Sequence, residues 1–464
     1  MDQAKARVLC FTPEPERICA AAARLSTTEG SAGDIYQGTQ RSNIRGLIRN
    51  VMGLGHRSVA EHASFSIAFE NVSVFFEQFL IEFRLAAYTV KSRRYVDYGN
   101  MGWLKPDFRF EKAADTSDLN ARYNSLMAFL FQTYSRLTEM GIPKEDARFI
   151  LPYSFRSHIY CTMNARELLH FLTQAIQGRG GAYPEIRKVG LSLWQEVREI
   201  FPDVFEGLDS GISLPSEKKA VLSKLPPLQD EDRGENTRLI AATPDAGRLV
   251  AESLLMGEGF GPKTAKSLIK ENPSLKEDLV QAVIRDSRPR ELEQVNYTFH
   301  IPKISLAGLT HLARHRIQSL MVPDFSRFGK RGELVMPQSL VQNPQALSLY
   351  KEAEEKTIAL AMAFQSSGIV PEDGVYLMLA GNTLDVLTTM NARQLYHFLR
   401  LRTCYRAQWE IRDIALKMRK DLLAEAPDLF SASGPSCFFY GKCTEGRMSC
   451  GRMKEIREEL EAQW

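Results

Sequence analysis

No apolar run in this chain approaches the roughly 20 residues that a membrane-spanning helix needs. The start, MDQAKARVLC, has none of the charged-then-apolar layout of a secretion signal. An exported or membrane-embedded protein is therefore not expected, and a cytoplasmic one is. One-sided charge is missing as well, since 59 basic residues against 56 acidic ones leave a formal net charge of +3. That balance gives no support to a protein that coats nucleic acid, although local basic clusters stay open. Cysteines number only seven, and an odd count without an export signal argues for reduced thiols rather than a disulfide framework. What remains is ordinary: 464 residues, 44% hydrophobic and 25% charged, too apolar for disorder and long enough for two or three domains with real cores.

What is present in excess is repetition. Residues 163–172 read MNARELLHFL and residues 390–399 read MNARQLYHFL. Over Thr162–Leu172 against Thr389–Leu399, nine of eleven positions are identical. Arg7-Val8-Leu9 with Thr12-Pro13 recurs as Arg238-Leu239-Ile240 with Thr243-Pro244, and Gly141-Ile142 with Glu145-Asp146 recurs as Gly368-Ile369 with Glu372-Asp373. An offset near 230 residues is too long for a solenoid unit and suits a whole domain. Two domains in tandem are therefore expected: a first copy over 1–208, a linker over 209–236 containing Pro215 and Pro226-Pro227, a second copy over 237–430, and a Cys-containing tail over 431–464. Each copy holds a stretch with period-two alternation, Phe65-Ile67-Phe69 in the first and Val295-Tyr297-Phe299-Ile301 in the second, which predicts a half-buried strand. Leu306, Leu309, Leu312 and Ala313 then share one helical face, and a long helical stretch is expected over Asn391–Leu422. The fold class is α+β, with small sheets and long helices in each copy.

Two groups of residues carry chemistry. The helix after the second strand ends in Arg314-His315-Arg316, a triplet that the helix dipole favours and that solvent alone would also accommodate. Further on, Asn391, Leu395, Phe398 and Arg402 fall on one face, which turns Arg402 inward. An inward arginine needs an anionic or planar partner, and an internal carboxylate would satisfy it as well as a ligand would.

The order strand, helix, Arg-His-Arg, then an Asn-Ala-Arg helix leading to Leu401-Arg402 and Ala407-Gln408-Trp409-Glu410-Ile411-Arg412 resembles the flavin-dependent thymidylate synthases (ThyX). The first copy resembles them through Gly55-His56-Arg57-Ser58 with Glu61-His62, through Ser92, Arg94 and Tyr95, and through Arg148 in Ala147-Arg148-Phe149-Ile150-Leu151-Pro152. The resemblance implies two ThyX-like domains and methylation of dUMP to dTMP. Methylenetetrahydrofolate would supply the carbon, and FAD reduced by NADPH the hydride. It places Arg314, His315, Arg316, Asn391, Arg393, His397 and His56 at the flavin, and Ser92, Arg94 and Arg148 at dUMP. Arg402 is the catalytic candidate: a fixed guanidinium against the uracil carbonyl edge makes C5 nucleophilic. Arginine forks suit the phosphates of both ligands.

Each copy departs from the family where the other keeps to it. The first has Glu82-Phe83-Arg84 for Arg-His-Arg and Ala175 for Arg402, with Gly178, Gly180 and Gly181 breaking the helix there. The second has Val375 for Arg148, Arg288 for His56, and Asp324-Phe325-Ser326-Arg327-Phe328 for the Ser-x-Arg-Tyr run. Since the family is a tetramer whose sites draw on several subunits, the resemblance implies a homodimer of this chain that mimics the tetramer, with sites formed between the two copies. The competing expectation is a paralogue that binds flavin or nucleotide without turnover, or acts on another pyrimidine nucleotide. In the tail, Cys437, Cys443 and Cys450 beside glycines offer donors for zinc or an iron–sulfur cluster, with Cys404 as a candidate fourth ligand. Their spacing matches no standard finger, and reduced surface thiols are the other reading. Gly257-Glu258-Gly259-Phe260-Gly261-Pro262-Lys263-Thr264 imitates a phosphate loop, but Pro262 separates Gly261 from Lys263 and breaks that spacing. A nucleic-acid partner is not expected from it.

Overall fold

The computed structural model describes all residues except 1–2, 41–43, 45, 95, 112–116, 209–216, 223, 226–233, 235, 328–332 and 463–464. Tyr95, Phe328 and most of the expected linker, including its prolines, therefore lie outside the described residues. The first copy runs β1 (Lys5–Phe11), β2 (Ser64–Ser73), α1 (Val74–Ile81), β3 (Ala86–Val90), α2 (Ser117–Glu139), β4 (Arg156–Asn164), α3 (Ala165–Ile176) and α4 (Pro184–Ile200). The second runs β5 (Arg238–Ala242), β6 (Asn296–Ser305), α5 (Leu306–Ala313), β7 (Ser319–Met321), α6 (Pro344–Ser366), β8 (Thr383–Asn391), α7 (Ala392–Arg402) and α8 (Trp409–Glu425). The order is the same, and so is the sheet: antiparallel β1-β2-β4-β3 in one copy and β5-β6-β8-β7 in the other. The class is α+β with a tandem repeat. Among the described residues no helix is long and apolar enough to cross a membrane.

The alternating stretches become β2 and β6, with Phe65, Ile67 and Phe69, and Tyr297, Phe299 and Ile301, all fully buried. Two expectations change. Helix α5 is buried on every side and not only along its leucine face. The stretch over Asn391–Leu422 is two helices, because Gln408 starts a new one by accepting from the Ile411 N–H. Both copies also share a buried tie at the strand-to-helix corner. Ser73 caps α1 and donates its hydroxyl to Glu185 of α4; Ser305 caps α5 and donates to Glu410 of α8.

The chain packs as two compact units that do not follow the two repeats: Met1–Asp230 with Phe325–Asn382, and Glu231–Asp324 with Thr383–Trp464. The first unit thus takes α6 from the second copy and packs it on α2. These helices are repeat equivalents, each 23 residues long. On α2, Tyr123, Met127, Leu130, Tyr134 and Leu137 are buried, and on α6 Ala346, Tyr350, Ala353, Thr357, Leu360 and Phe364. The steps of three and four make one apolar seam per helix, at about 1.5–3 kcal/mol for each large side chain buried. Beside the seam, repeat equivalents meet reciprocally. The Tyr153 N–H donates to the Met378 carbonyl at 2.7 Å, and the Ala380 N–H to the Leu151 carbonyl at 2.9 Å. Since Tyr153 corresponds to Ala380 and Leu151 to Met378, the first unit contains a local pseudo-twofold axis.

Candidate active site

In the second unit, Ser305 starts α5 and the helix stops at Arg314, leaving Arg314 and Arg316 exposed on either side of a buried His315. Helix α7 runs from its cap, Asn391, to Arg402. Arg402 is half-buried, and its partner is planar: its Nε donates to His315 Nε2 at 2.9 Å, and its Nη2 to the His311 carbonyl at 3.3 Å. Because a guanidinium is always a donor, His315 Nε2 must be a bare acceptor, so the neutral ring carries its proton on Nδ1. The atom facing Nδ1 belongs to the Gln394 amide at 3.3 Å, and this protonation turns the amide oxygen towards the ring. Burial first, then the charges of Arg402 and His397, pushes His315 down to about 2, which keeps the ring neutral. His397 is exposed, 5.7 Å from His315 between ring centres, and its own basicity is lowered, chiefly by burial.

Asn391 and Arg393 are already engaged. Asn391 accepts from the Gln394 N–H at 2.8 Å as the cap of α7, and Arg393 pairs with Glu293, whose carboxyl it holds below the usual range. Gln394 was not among the residues singled out from sequence. A signal existed, since Glu167/Gln394 is one of the two differences inside the repeated stretch, and it coincides with Phe83 standing where His315 stands.

The first unit gathers the other set. Ser92 Oγ accepts from the Arg94 N–H at 3.3 Å, Arg94 Nε donates to the Glu145 carboxylate at 2.6 Å, and the buried Arg148 donates from Nε to the Glu145 carbonyl at 3.0 Å. Arg94 and Arg148 therefore converge on one residue. Between Ser92 and Arg94, Arg93 points inward, 6% exposed, and pairs with the fully buried Glu77 of α1, which also accepts from Ser157 Oγ at 2.9 Å. This pair was missed too, although a lone acid inside Val74-Phe75-Phe76-Glu77-Gln78-Phe79-Leu80-Ile81 announces a buried cation. His56 stands apart, exposed at the head of the short turn Arg57–His62.

The first copy's counterpart of the Arg402 position is packed shut. Ala175 is fully buried, Gly180 and Gly190 press on it so closely that a Cβ on either would lie 3.0 Å from an Ala175 atom, and Glu82 pairs with Arg179 at 2.5 Å. In the second copy Val375 is buried and Arg288 is exposed. A hollow of about 550 Å³ in the first unit, lined by Arg109, Pro184, Arg187 and Lys188 among others, holds none of the expected site residues. In the tail, Cys437 is buried and Cys443 and Cys450 are exposed, and all seven cysteines are free thiols. Among the described residues no three His, Cys, Asp or Glu side chains close around a point as a single metal ion requires. The Gly257–Thr264 stretch is the turn between two helices, with Gly259 at φ +94°.

These features define a duplicated α+β protein with one arginine–histidine cluster in its second copy and one arginine pair in its first. The chain belongs to the Thy1 family, described as "Thymidylate synthase complementing protein", whose model matches residues 7–203 and again 238–428. It is similar to the flavin-dependent thymidylate synthases of Geobacter sulfurreducens, 33% identical over 207 residues covering 45% of this chain and 88% of that protein, and of Clostridium tetani, 29% identical over 251 residues covering 50% and 99%. The enzyme of that name from Saccharolobus solfataricus is 32% identical over 215 residues, covering 44% and 79%. Among solved structures, a UMP/dUMP methylase PolB from Streptomyces cacaoi bound with 5-Br dUMP matches at 24% identity and a TM-score of 0.37, over 46% of this chain and 97% of that one.

Proposed function

We propose that this protein is an FAD-dependent thymidylate synthase that methylates dUMP to dTMP, with methylenetetrahydrofolate and NADPH as co-substrates. The observation that carries the reading is the meeting of Arg402 with His315, 87 residues apart in the chain and both in the family's motifs. The donor set fits a flavin with its pyrophosphate: Arg314 and Arg316 offer two exposed guanidiniums beside a neutral buried ring. Arg314, His315, Arg316 and His397 would hold FAD, with Asn391 and Arg393 shaping the start of α7 and His56 supplied by the first copy. Bound and reduced, FAD supplies the hydride. Arg402, held at Nε by His315, keeps part of its fork for the uracil carbonyl edge, where it stabilises negative charge as C5 becomes nucleophilic. Ser92, Arg94 and Arg148 hold the nucleotide phosphate.

The two copies thus carry complementary residues, and two chains would stand in for the family tetramer. Half of the potential flavin positions would be lost, since Ala175 and Glu82 leave no place for an arginine or a phosphate. Purified protein should be yellow, hold about one FAD per chain rather than two, and convert dUMP to dTMP when given both co-substrates. Arg402→Ala should keep flavin and lose turnover. A colourless protein that takes up no added FAD would sink this reading.

A further inference from the structure

The tail after α8 has little to hold it. Its own core is Cys437, Ile456 and Leu460, helped by the half-buried Tyr405, Leu416 and Phe438. Every residue from 440 to 451 is exposed, yet the loop takes three left-handed turns, at Gly441, Gly446 and Gly451. A segment with so few buried side chains needs a staple to keep one conformation. No disulfide supplies it.

The cysteines are arranged as such a staple would require. Cys404 lies in the turn between α7 and α8, two residues beyond Arg402, and its Sγ accepts from the Arg406 N–H at 3.5 Å. That turn is tied to the tail at three points. Arg406 donates to the Met448 carbonyl, two residues before Cys450; the Tyr405 hydroxyl donates to Glu459 at 3.2 Å; and Arg452 lies over the Tyr405 ring at 4.2 Å. Cys437 packs in the cluster that includes Tyr405. Three separate segments thus bring thiols to one place, and the thiols sense one another, since Cys443 and Cys450 both act on Cys404 and on Cys437. Arg406, Lys442, Arg447 and Arg452 flank them in sequence, which favours thiolates over thiols. A single zinc ion draws four sulfurs to about 2.3 Å from one centre, and no such cage is present among the described residues. An iron–sulfur cluster puts each cysteine on a separate iron, so its four thiolates stand farther apart.

We propose that Cys404, Cys437, Cys443 and Cys450 hold an iron–sulfur cluster that fastens the tail onto the turn following Arg402. The inference does not rest on the flavin reading, and its test reads iron and sulfide rather than dTMP. Full-length protein purified without oxygen should contain iron and acid-labile sulfide in equal amounts and little zinc. After reduction with dithionite it should give a cluster signal in electron paramagnetic resonance, distinct from a flavin radical. Cys443→Ala and Cys450→Ala should each lose that iron, and protease should then cut within residues 440–452. Cys10→Ala, an exposed thiol outside the group, should keep the iron. FAD content and gel filtration report whether the variants fold. Zinc without sulfide, iron retained in both tail variants, or no metal with the tail thiols freely alkylated in the native protein would each overturn the proposal.

Discussion

Arg402 Nε stands 2.9 Å from His315 Nε2, and the contact works only while the histidine is neutral. The folded protein holds His315 down to about 2, whereas an unfolded histidine titrates near 6.5. Between those values the unfolded chain binds the extra proton, so this group makes stability fall as pH drops below about 6.5. The slope is at most about 1.4 kcal/mol per pH unit. His315→Gln removes it, and urea titrations of both proteins at pH 7 and pH 5 should show the wild type losing more. Parallel losses would mean that His315 protonates in the fold.

Flavin retention should depend on the second copy alone. Arg314→Ala or Arg316→Ala removes a charge-assisted contact of roughly 1.5–3 kcal/mol and should weaken FAD binding severely. Glu82→Ala only releases Arg179, so FAD measured after dialysis should be unchanged. Equal sensitivity of Glu82 and Arg314 would overturn the division of roles between the copies.

The Arg93–Glu77 pair sits beneath the Ser92–Arg94 turn with both side chains buried. Glu77→Ala should cost about 3–5 kcal/mol by leaving the guanidinium uncompensated, while replacing both residues with Met should cost less. Chemical denaturation of the two single variants and the double variant checks this. A double variant no better than the worse single one would show that the pair is held by something else.

Glu145 places a carboxylate on Arg94, where a nucleotide phosphate would compete with it. Glu145→Gln should tighten dUMP binding modestly, by about 0.2–1 kcal/mol for a partly exposed pair. Arg148→Met should weaken binding, both read by calorimetric titration. Weaker binding in Glu145→Gln would make Glu145 a support for Arg94 rather than a competitor.

The α+β class and the duplication were legible because strand alternation and the repeated stretch are local patterns. Phe65, Ile67, Phe69 and their second-copy counterparts are buried as period two requires. Arg402 was found because 3.6-residue spacing put it beside Leu395 and Phe398, but its partner His315 could not be derived from spacing across 87 residues. Gln394, Glu77 and Arg93 escaped for the same reason, since each matters through a contact that only the folded chain makes. The division of α6 from its own repeat was out of reach. Nothing in a helix's apolar seam says which equivalent seam will cover it.

That exchange of α6 sets a clock on synthesis. Helix α2 leaves the ribosome 227 residues ahead of the helix that covers it, counting from 117 to 344. At about 5–20 residues per second, the wait is on the order of 10 to 45 s. During that time Tyr123, Met127, Leu130 and Tyr134 have no permanent neighbour, and the first unit is unfinished until most of the chain has been made. A nascent chain of this protein should therefore be a client of chaperones that shield apolar helices, and stalled translation before residue 344 should aggregate where stalling after 382 does not.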